Sequence, residues 1–562
     1  MSRRGRRAAA ERRRAAAQQA AASEPTVDRV ASSEDVSADA AVSPATAATA
    51  TADGPAWVAL VDRHFLLIGL AIVGLAAVLR LLDLGATPMH NDEGVNGFFV
   101  TRLVRQGEWV YDPANYHGPT LFYLALVAEI LFGLTTEAMR LVPAIFGIGV
   151  VALALGLRPF IGSIAALVAA ALLALSPGMA YISRYFIHEM LLVFFTLAIV
   201  VSLLWYLRDG RERFLLAAAV ALAGHFATKE TGVISIGVLA IALVVGELYV
   251  RFRVGEQPGR AVGTGRKRRP SPSEGDWRAI LAARFTPERL VTAALAFGVV
   301  HVLLFTSFGT NLDGVLDSFA TFTIWTQTGG ETQTQPLYQY LAWMARPEIH
   351  ILVLGTLGGL LAAWQGSNRI HVFIGLWALG ITMAYSLISY KTPWVAINMI
   401  VPLAILGGIF VSYFVATVRS SRLQVLGAAG LAGLLAAGAY QTVDLSFRHH
   451  DDETYGYVFV HTVRDMYGLI AEAERVAAQD EGNGIAVFLP EYWPLPWYWR
   501  DHPNAVFWGS VVQTEEAVIL ANVNQDDAVT EMLGDRYLRG NVYTLRPSVD
   551  VAVWIRSDLQ RS

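Results

Sequence analysis

Apolar runs of about 20 residues recur between residues 65 and 440, broken by short polar turns. That length crosses the hydrocarbon of a bilayer as a helix. The runs are apolar on every face, whereas the helices of a soluble bundle carry an apolar stripe. The pattern predicts a polytopic α-helical membrane protein with spans at 65–83, 137–157, 161–179, 189–207, 213–229, 232–250, 290–308, 348–365, 371–388, 394–416 and 423–440, eleven in all. Beyond residue 441 the apolar runs shorten to strand length, at 485–489, 505–508, 517–522 and 542–545, with helical patterns at 457–479 and 525–534. Alternating strand and helix predicts a small α/β domain over 441–562.

Charge orients this frame. Only 16% of the 562 residues are charged, against about 25% in soluble domains. A further apolar run, 120–134, fits the spacing of a span, but counting it as one puts the basic stretch at 251–289 on the outer side, against the positive-inside rule. Laid along the outer interface instead, it leaves Arg158, Arg208, Arg211, Arg213, Arg266-Lys267-Arg268-Arg269, Arg369, Arg419 and Arg422 all inside. The amino terminus is then cytoplasmic and the carboxyl-terminal domain extracytoplasmic, in a multi-pass cell-membrane protein. Residues 1–56 are rich in Ala, Arg, Ser and Thr and bury too little to fold, so a disordered cytoplasmic tail is expected. The 251–289 stretch reads as a solvated cytoplasmic linker touching lipid headgroups. The outer loop 309–347 is long enough to act as a lid. A formal net charge of -4 gives no reason to expect a nucleic-acid partner, and with no cysteine there is no disulfide, thiolate nucleophile or cysteine metal site.

Candidate chemistry gathers at the expected outer turns. His90-Asn91-Asp92-Glu93-Gly94 follows the first span, and Tyr116-His117-Gly118-Pro119 comes one loop later. Asp92 and Glu93 read either as acids that take a proton from an acceptor hydroxyl or as a water-facing pair at a helix start. In Ser183-Arg184-Tyr185-Phe186-Ile187-His188-Glu189, Arg184 offers a forked donor set for phosphate and Glu189 a further carboxylate. The plain alternatives are a snorkelling arginine and an acid favoured by the helix dipole. Lys229, in Thr228-Lys229-Glu230-Thr231, and Lys391, in Ser389-Tyr390-Lys391-Thr392-Pro393-Trp394, stand against the charge bias of an outer face. Together with Arg184 and Arg346 they would make an anion site, although a simple Lys229–Glu230 contact is the alternative for the first. His90, His117 and His188 lie near the acids and allow a divalent metal, but no zinc-type spacing is present. The aromatic run from Glu491 to Trp499 suits sugar stacking or an interfacial belt. Walker, dinucleotide-turn and serine-elbow motifs are absent.

In this order the motifs resemble the GT-C superfamily of membrane glycosyltransferases, over roughly residues 65–415. The resemblance is to the protein O-mannosyltransferase and aminoarabinose-transferase branch, and rests on Asp92-Glu93, His117-Gly118-Pro119, Arg140, Arg184 with Glu189, Thr228-Lys229 and Lys391-Thr392-Pro393-Trp394. The run Met89-His90-Asn91-Asp92-Glu93-Gly94 and the Tyr390-Lys391-Thr392-Pro393-Trp394 motif look most like a prokaryotic flippase-associated group of the archaeal N-glycosylation type. The resemblance implies a polyprenyl- or dolichyl-phosphate-linked sugar as donor, a protein, lipid or glycan acceptor, and inversion in a single displacement. It implies Asp92 as base, Glu189 positioning acceptor or metal, and Arg184 and Lys229 on the lipid phosphate, with Lys391, Arg346, His117, Tyr390 and Trp394 expected alongside as substrate-binding residues. No cofactor is required by this scheme. A non-catalytic flippase partner or lipid-linked sugar transporter is the alternative. The chain departs from the branch at Gly118, where aminoarabinose transferases carry lysine, and at Glu189, where relatives often carry aspartate.

Overall fold

The computed structural model describes residues 56–107, 109–115, 117–255, 277–328 and 334–559. The expected tail and most of the expected linker fall outside these. Among the described residues, seven helices are long and apolar enough to cross a membrane: Thr136–Ile161, Glu189–Asp209, Gly232–Arg253, Pro287–Phe305, Arg369–Leu387, Pro393–Thr417 and Ser421–Phe447. Two bent pairs bring the number to nine, Trp57–Arg63 with Phe65–Leu81 at 70° and Gln339–Ala345 with Ile349–Gln365 at 119°.

Two segments expected as spans form shorter helices, Ser163–Ala174 of 12 residues and Glu212–Phe226 of 15. The first stops because Ser176 starts a new helix, Pro177–Ile182. The Ser176 side chain accepts the Met179 N–H, and Pro177 occupies the first turn, where its missing N–H costs nothing. The second stops because the chain after Phe226 turns its backbone to residues 118–120: Gly118 N–H donates to the Thr228 carbonyl (3.1 Å) and Thr120 N–H to the Ala227 carbonyl (3.0 Å). The ambiguous run at 120–134 is a helix of 13 residues, Thr120–Phe132. At about 1.5 Å per residue it falls short of a hydrocarbon layer of about 30 Å. It buries Leu121, Phe122, Ala125 and Ala128 and exposes Val127, Ile130 and Leu131.

The turns sort into two sets. In one, Glu247 is paired with Arg251 (2.6 Å) and Arg369 (2.9 Å), Arg253 donates to the Trp364 carbonyl, and Arg289 meets Glu212. The other set holds the turns around residues 82–90, 117–119, 183–189, 227–231 and 389–394, which contact one another and the carboxyl-terminal domain.

That domain follows the last long helix, which runs on to Phe447 rather than ending at 440. Its sheet has five strands, β1 (Ile485–Val487), β2 (Ala505–Phe507), β3 (Val518–Asn522), β4 (Tyr537–Arg546) and β5 (Val549–Arg556), in the order β2-β1-β3-β5-β4. The first three are parallel, and β1 and β3 are buried throughout, as strands covered on both faces are. Helices Met466–Ala477 and Asp526–Leu533 contribute Leu469, Val476, Val529 and Leu533 to the cover. Strand β5 and the first half of β4 were not among the expected strands. They form an antiparallel hairpin whose tight turn, Pro547-Ser548, places Ser548 at φ +66°. The usual sequence mark of such a turn is Asn-Gly or Asp-Gly, which this chain lacks there.

Candidate active site

The first polar loop is built around a helix start. His90 caps helix Asn91–Gln106: its Nδ1 accepts the Asp92 N–H (3.1 Å), and its own N–H donates to Glu93 Oε2 (2.8 Å). This reciprocal capping box fixes the next two side chains in opposite senses. Glu93 is fully buried. Its Oε1 accepts from Arg140 Nε (2.7 Å) and Phe186 N–H (2.8 Å), and its Oε2 accepts from Arg140 Nη2 (2.7 Å) as well as from His90. Arg140 spends its remaining donors on the Leu84, Thr87 and Pro88 carbonyls and on Thr87 Oγ1. Asp92 points the other way, with 43% of its side chain exposed. With Nδ1 accepting, His90 donates from Nε2 to the Phe459 carbonyl (3.0 Å).

A second polar cluster forms around Lys229. Its ammonium pairs with Glu189, the first residue of helix Glu189–Asp209, and both side chains are largely buried. The neighbouring Glu230 pairs with His117 Nδ1 (3.0 Å), and the His117 ring lies 4.8 Å from that of His188. Residues 117 and 229 face each other in a short antiparallel bridge. Gly118 permits the approach, since a side chain there would run into the Ala227 carbonyl. Burial acts to raise the Glu230 carboxyl, but His117 and Lys229 outweigh it and hold the group below its usual range. Burial and the cations beside it push His188 well below the ordinary histidine value, so it stays neutral. For Lys229 the burial penalty is outweighed by Glu189 and Glu230, and its pKa rises.

Two segments bridge the clusters. Along 185–189, Tyr185 stacks on His90 at 5.7 Å, Phe186 bonds Glu93, His188 meets His117 and Glu189 holds Lys229. Along 390–394, the Trp394 edge meets the His90 ring at 5.7 Å, and Lys391 donates to the Ile388 and Gln335 carbonyls. Tyr390 is paired with Thr334 and partly exposed. Tyr340 and Tyr385 sit close enough to Lys229 to feel its charge, and Tyr340 also reaches the Thr392 backbone.

The structure does not bring every expected cation to this place. Arg184 donates to the Leu82 (2.6 Å) and Asp83 (2.8 Å) carbonyls and lies over the Phe447 ring at 4.6 Å. Arg346 lies over Tyr455 at 5.6 Å, in the connector to the sheet domain. Among the described residues no three His, Asp or Glu side chains gather as metal ligands. Glu189 is committed to the Lys229 ammonium and Glu230 to His117.

The sheet domain closes over the first loop. Tyr498 Oη accepts the Met89 N–H (2.9 Å), Trp497 Nε1 donates to Thr136 Oγ1 (3.1 Å), and Arg500 Nη2 donates to the Leu134 carbonyl (2.9 Å). A Cβ at Gly94 would lie 2.6 Å from Pro494 Cβ and 2.7 Å from its Cα. The aromatic run is thus a docking segment rather than a belt at the lipid interface. Arg546 donates to the Trp493 carbonyl (2.8 Å) from the end of β4. Burial draws its pKa down, opposed by the nearby Glu491 and Asp92. Arg546 was missed in the sequence because no motif surrounds it. Gly94 and Gly97, spaced to share one helix face, were the readable sign that something packs there.

Residues 110–255 match the family model of dolichyl-phosphate-mannose-protein mannosyltransferases. This range includes His117, Arg184, Glu189 and Lys229. No protein of curated function matches the chain in sequence. Among solved structures, the chain is similar to ArnT from Cupriavidus metallidurans bound to undecaprenyl phosphate, with 17% identity and a TM-score of 0.59 over 90% of this chain and 98% of that one. It is also similar to the oligosaccharyltransferase of Archaeoglobus fulgidus, with 13% identity and a TM-score of 0.52 over 86% of this chain and 74% of that one.

Proposed function

We propose that this chain, a GT-C superfamily membrane protein by its fold, transfers a sugar from a polyprenyl- or dolichyl-phosphate-linked donor to an acceptor hydroxyl, with Asp92 as the base. The observation that carries the reading is the contrast between adjacent acids. Glu93 has both oxygens occupied by Arg140, His90 and Phe186, while Asp92 is half exposed on a helix start that those bonds make rigid. Glu93 therefore positions Asp92 and does not itself move a proton.

The chemistry follows from the two poles of the site. Asp92 accepts the proton of the acceptor hydroxyl as its oxygen forms a bond to the anomeric carbon. The bond from that carbon to the phosphate oxygen breaks on the opposite face, and its electron pair leaves with the lipid phosphate. Lys229, with Lys391 from the 390–394 segment, stabilises the charge that develops there, an electrostatic contribution. Glu189 keeps Lys229 ionised and in place. One displacement inverts the anomeric centre without a covalent sugar–enzyme intermediate. Arg184 and Arg346 serve the frame, holding the Leu82–Asp83 turn and the connector at Tyr455. Support for a lipid-phosphate donor comes from the similar ArnT, which binds undecaprenyl phosphate, and from the similar archaeal oligosaccharyltransferase, which has been seen with a dolichol-phosphate. In this reading the site opens on the extracytoplasmic side.

The test is release of radiolabelled sugar from polyprenyl-phosphate donors by purified protein in lipid nanodiscs. Wild type should release and transfer the label, and Asp92→Asn should abolish transfer while inserting and melting normally. Equal turnover in the variant overturns Asp92 as base. Donor binding without release in either protein replaces the transferase by a flippase partner.

A further inference from the structure

The carboxyl-terminal domain brings three side chains to the edge of the proposed site, and each keeps polar or aromatic surface that its structural contacts do not use. Arg546 is buried, yet among the described residues its guanidinium makes only one hydrogen bond, from Nη1 to the Trp493 carbonyl. Glu491 has a buried Oε2 with no partner. Trp493 is half-buried and meets Phe98 edge-on at 5.8 Å, and Phe98 itself is 40% exposed. These groups stand beside Asp92, because Pro494 packs directly on Gly94.

Their placement follows from the sheet. In the order β2-β1-β3 the chain leaves β1 towards one neighbour and returns to the other, so the crevice beyond the carboxyl ends of β1 and β3 is the switch point where open α/β sheets receive ligands. The segment leaving β1 there is Phe488-Leu489-Pro490-Glu491-Tyr492-Trp493, which leads into the Pro494 contact on Gly94, two residues from Asp92.

We infer that Glu491, Trp493 and Arg546 form a subsite for a sugar ring, supplied by the carboxyl-terminal domain next to Asp92. The charges select this ligand class. One guanidinium between two carboxylates leaves the cluster net negative, which repels a phosphate or an acidic peptide. A neutral polyol both donates and accepts, so it satisfies the unspent Arg546 N–H groups and the unpartnered Glu491 oxygen together. The aromatic surface of Trp493 and Phe98 suits the apolar face of the ring. This subsite rests on the proposed transfer reaction for its purpose, and the ring it holds belongs either to the donor or to a glycan acceptor.

The experiment is saturation-transfer NMR on the full chain in lipid nanodiscs, with methyl α-D-mannoside, methyl β-D-glucoside and methyl β-D-galactoside as probes. Glu491→Gln, Arg546→Lys and Trp493→Phe are compared with wild type, each retaining the size class or charge of the original side chain and chosen to keep the fold. Saturation of ring protons by at least one probe, reduced fivefold or more in each variant, is the expected result. Equal signals in wild type and variants, or no signal from any probe, overturn the subsite. Steady-state transfer then distinguishes the source: a tenfold rise in KM for the lipid donor identifies its sugar, and a tenfold rise for the acceptor identifies an acceptor glycan. Variant-sensitive sugar binding in a protein that transfers nothing removes the transferase reading and leaves the subsite standing. Asp92-dependent transfer with both KM values and the NMR signal unmoved in the variants removes the subsite alone.

Discussion

Arg140 grips Glu93 through two parallel hydrogen bonds of 2.7 Å, with both side chains buried. The pair ties the second long helix to the start of helix Asn91–Gln106, and Arg140 also holds three carbonyls of the preceding loop. A buried pair is costly to break from one side, because the surviving charge is left without a partner.

Glu93→Gln and Arg140→Gln should therefore each lower stability by about 3–5 kcal/mol, read as a large fall in melting temperature in nanodiscs. Asp92→Asn should melt within a degree or two of wild type. The opposite ranking would mean that Asp92 is the structural acid and Glu93 the working one.

Much of this arrangement was legible in the sequence. The apolar runs, the two charge classes of turn and the acids after the first span follow from local pattern. What was not legible is pairing across the chain. Arg184 and Lys229 look alike as lone cations at outer turns, yet one spends itself on the carbonyls of Leu82 and Asp83 and the other on a carboxylate. Asp92 and Glu93 are adjacent, and only the arrival of Arg140 and Phe186 separates their roles. Contacts between residues far apart in the chain leave no local periodicity to read. The same holds for Arg546, which meets Trp493 across the sheet domain.

Lys229 and Glu189 give a test that separates structure from substrate binding. Lys229→Gln should destabilise strongly, since it leaves Glu189 buried and unpaired. Adding Glu189→Gln removes the orphaned charge and should restore at least half of the lost melting temperature. The donor KM should stay raised about tenfold in the double variant, because the cation proposed to face the phosphate is still missing. Recovery of donor affinity along with stability would show that Lys229 serves the fold only.

The His117–Glu230 pair predicts a pH dependence. Glu230 is held below its ordinary value in the folded protein. Its contribution to stability is thus fully present above the unfolded carboxylate value of about 4.3 and is lost as pH falls through the lower folded value. As pH falls below about 4.3, the melting temperature of Glu230→Gln should fall less steeply with acid than that of wild type. Parallel curves for the two proteins would remove Glu230 from the acid response.

Gly94 carries a close backbone approach between helix Asn91–Gln106 and the sheet domain. A methyl group there would meet Pro494 at 2.6 Å and its backbone Cα at 2.7 Å, and a backbone atom cannot rotate away. Gly94→Ala should cost about 1–3 kcal/mol through overpacking, although Gly→Ala inside a helix is otherwise favourable by about 0.5–1 kcal/mol. Gly74→Ala is the matched control, since nothing lies within 4 Å of a Cβ at that position. Relief comes most easily by lifting the docking segment, which frees the connector after Phe447. Limited proteolysis should then cut Gly94→Ala within residues 448–465 several times faster than wild type, and leave Gly74→Ala unchanged. If the cleavage rates match while sugar transfer is lost, the substitution acts on Asp92 directly and the domain is not held at this contact.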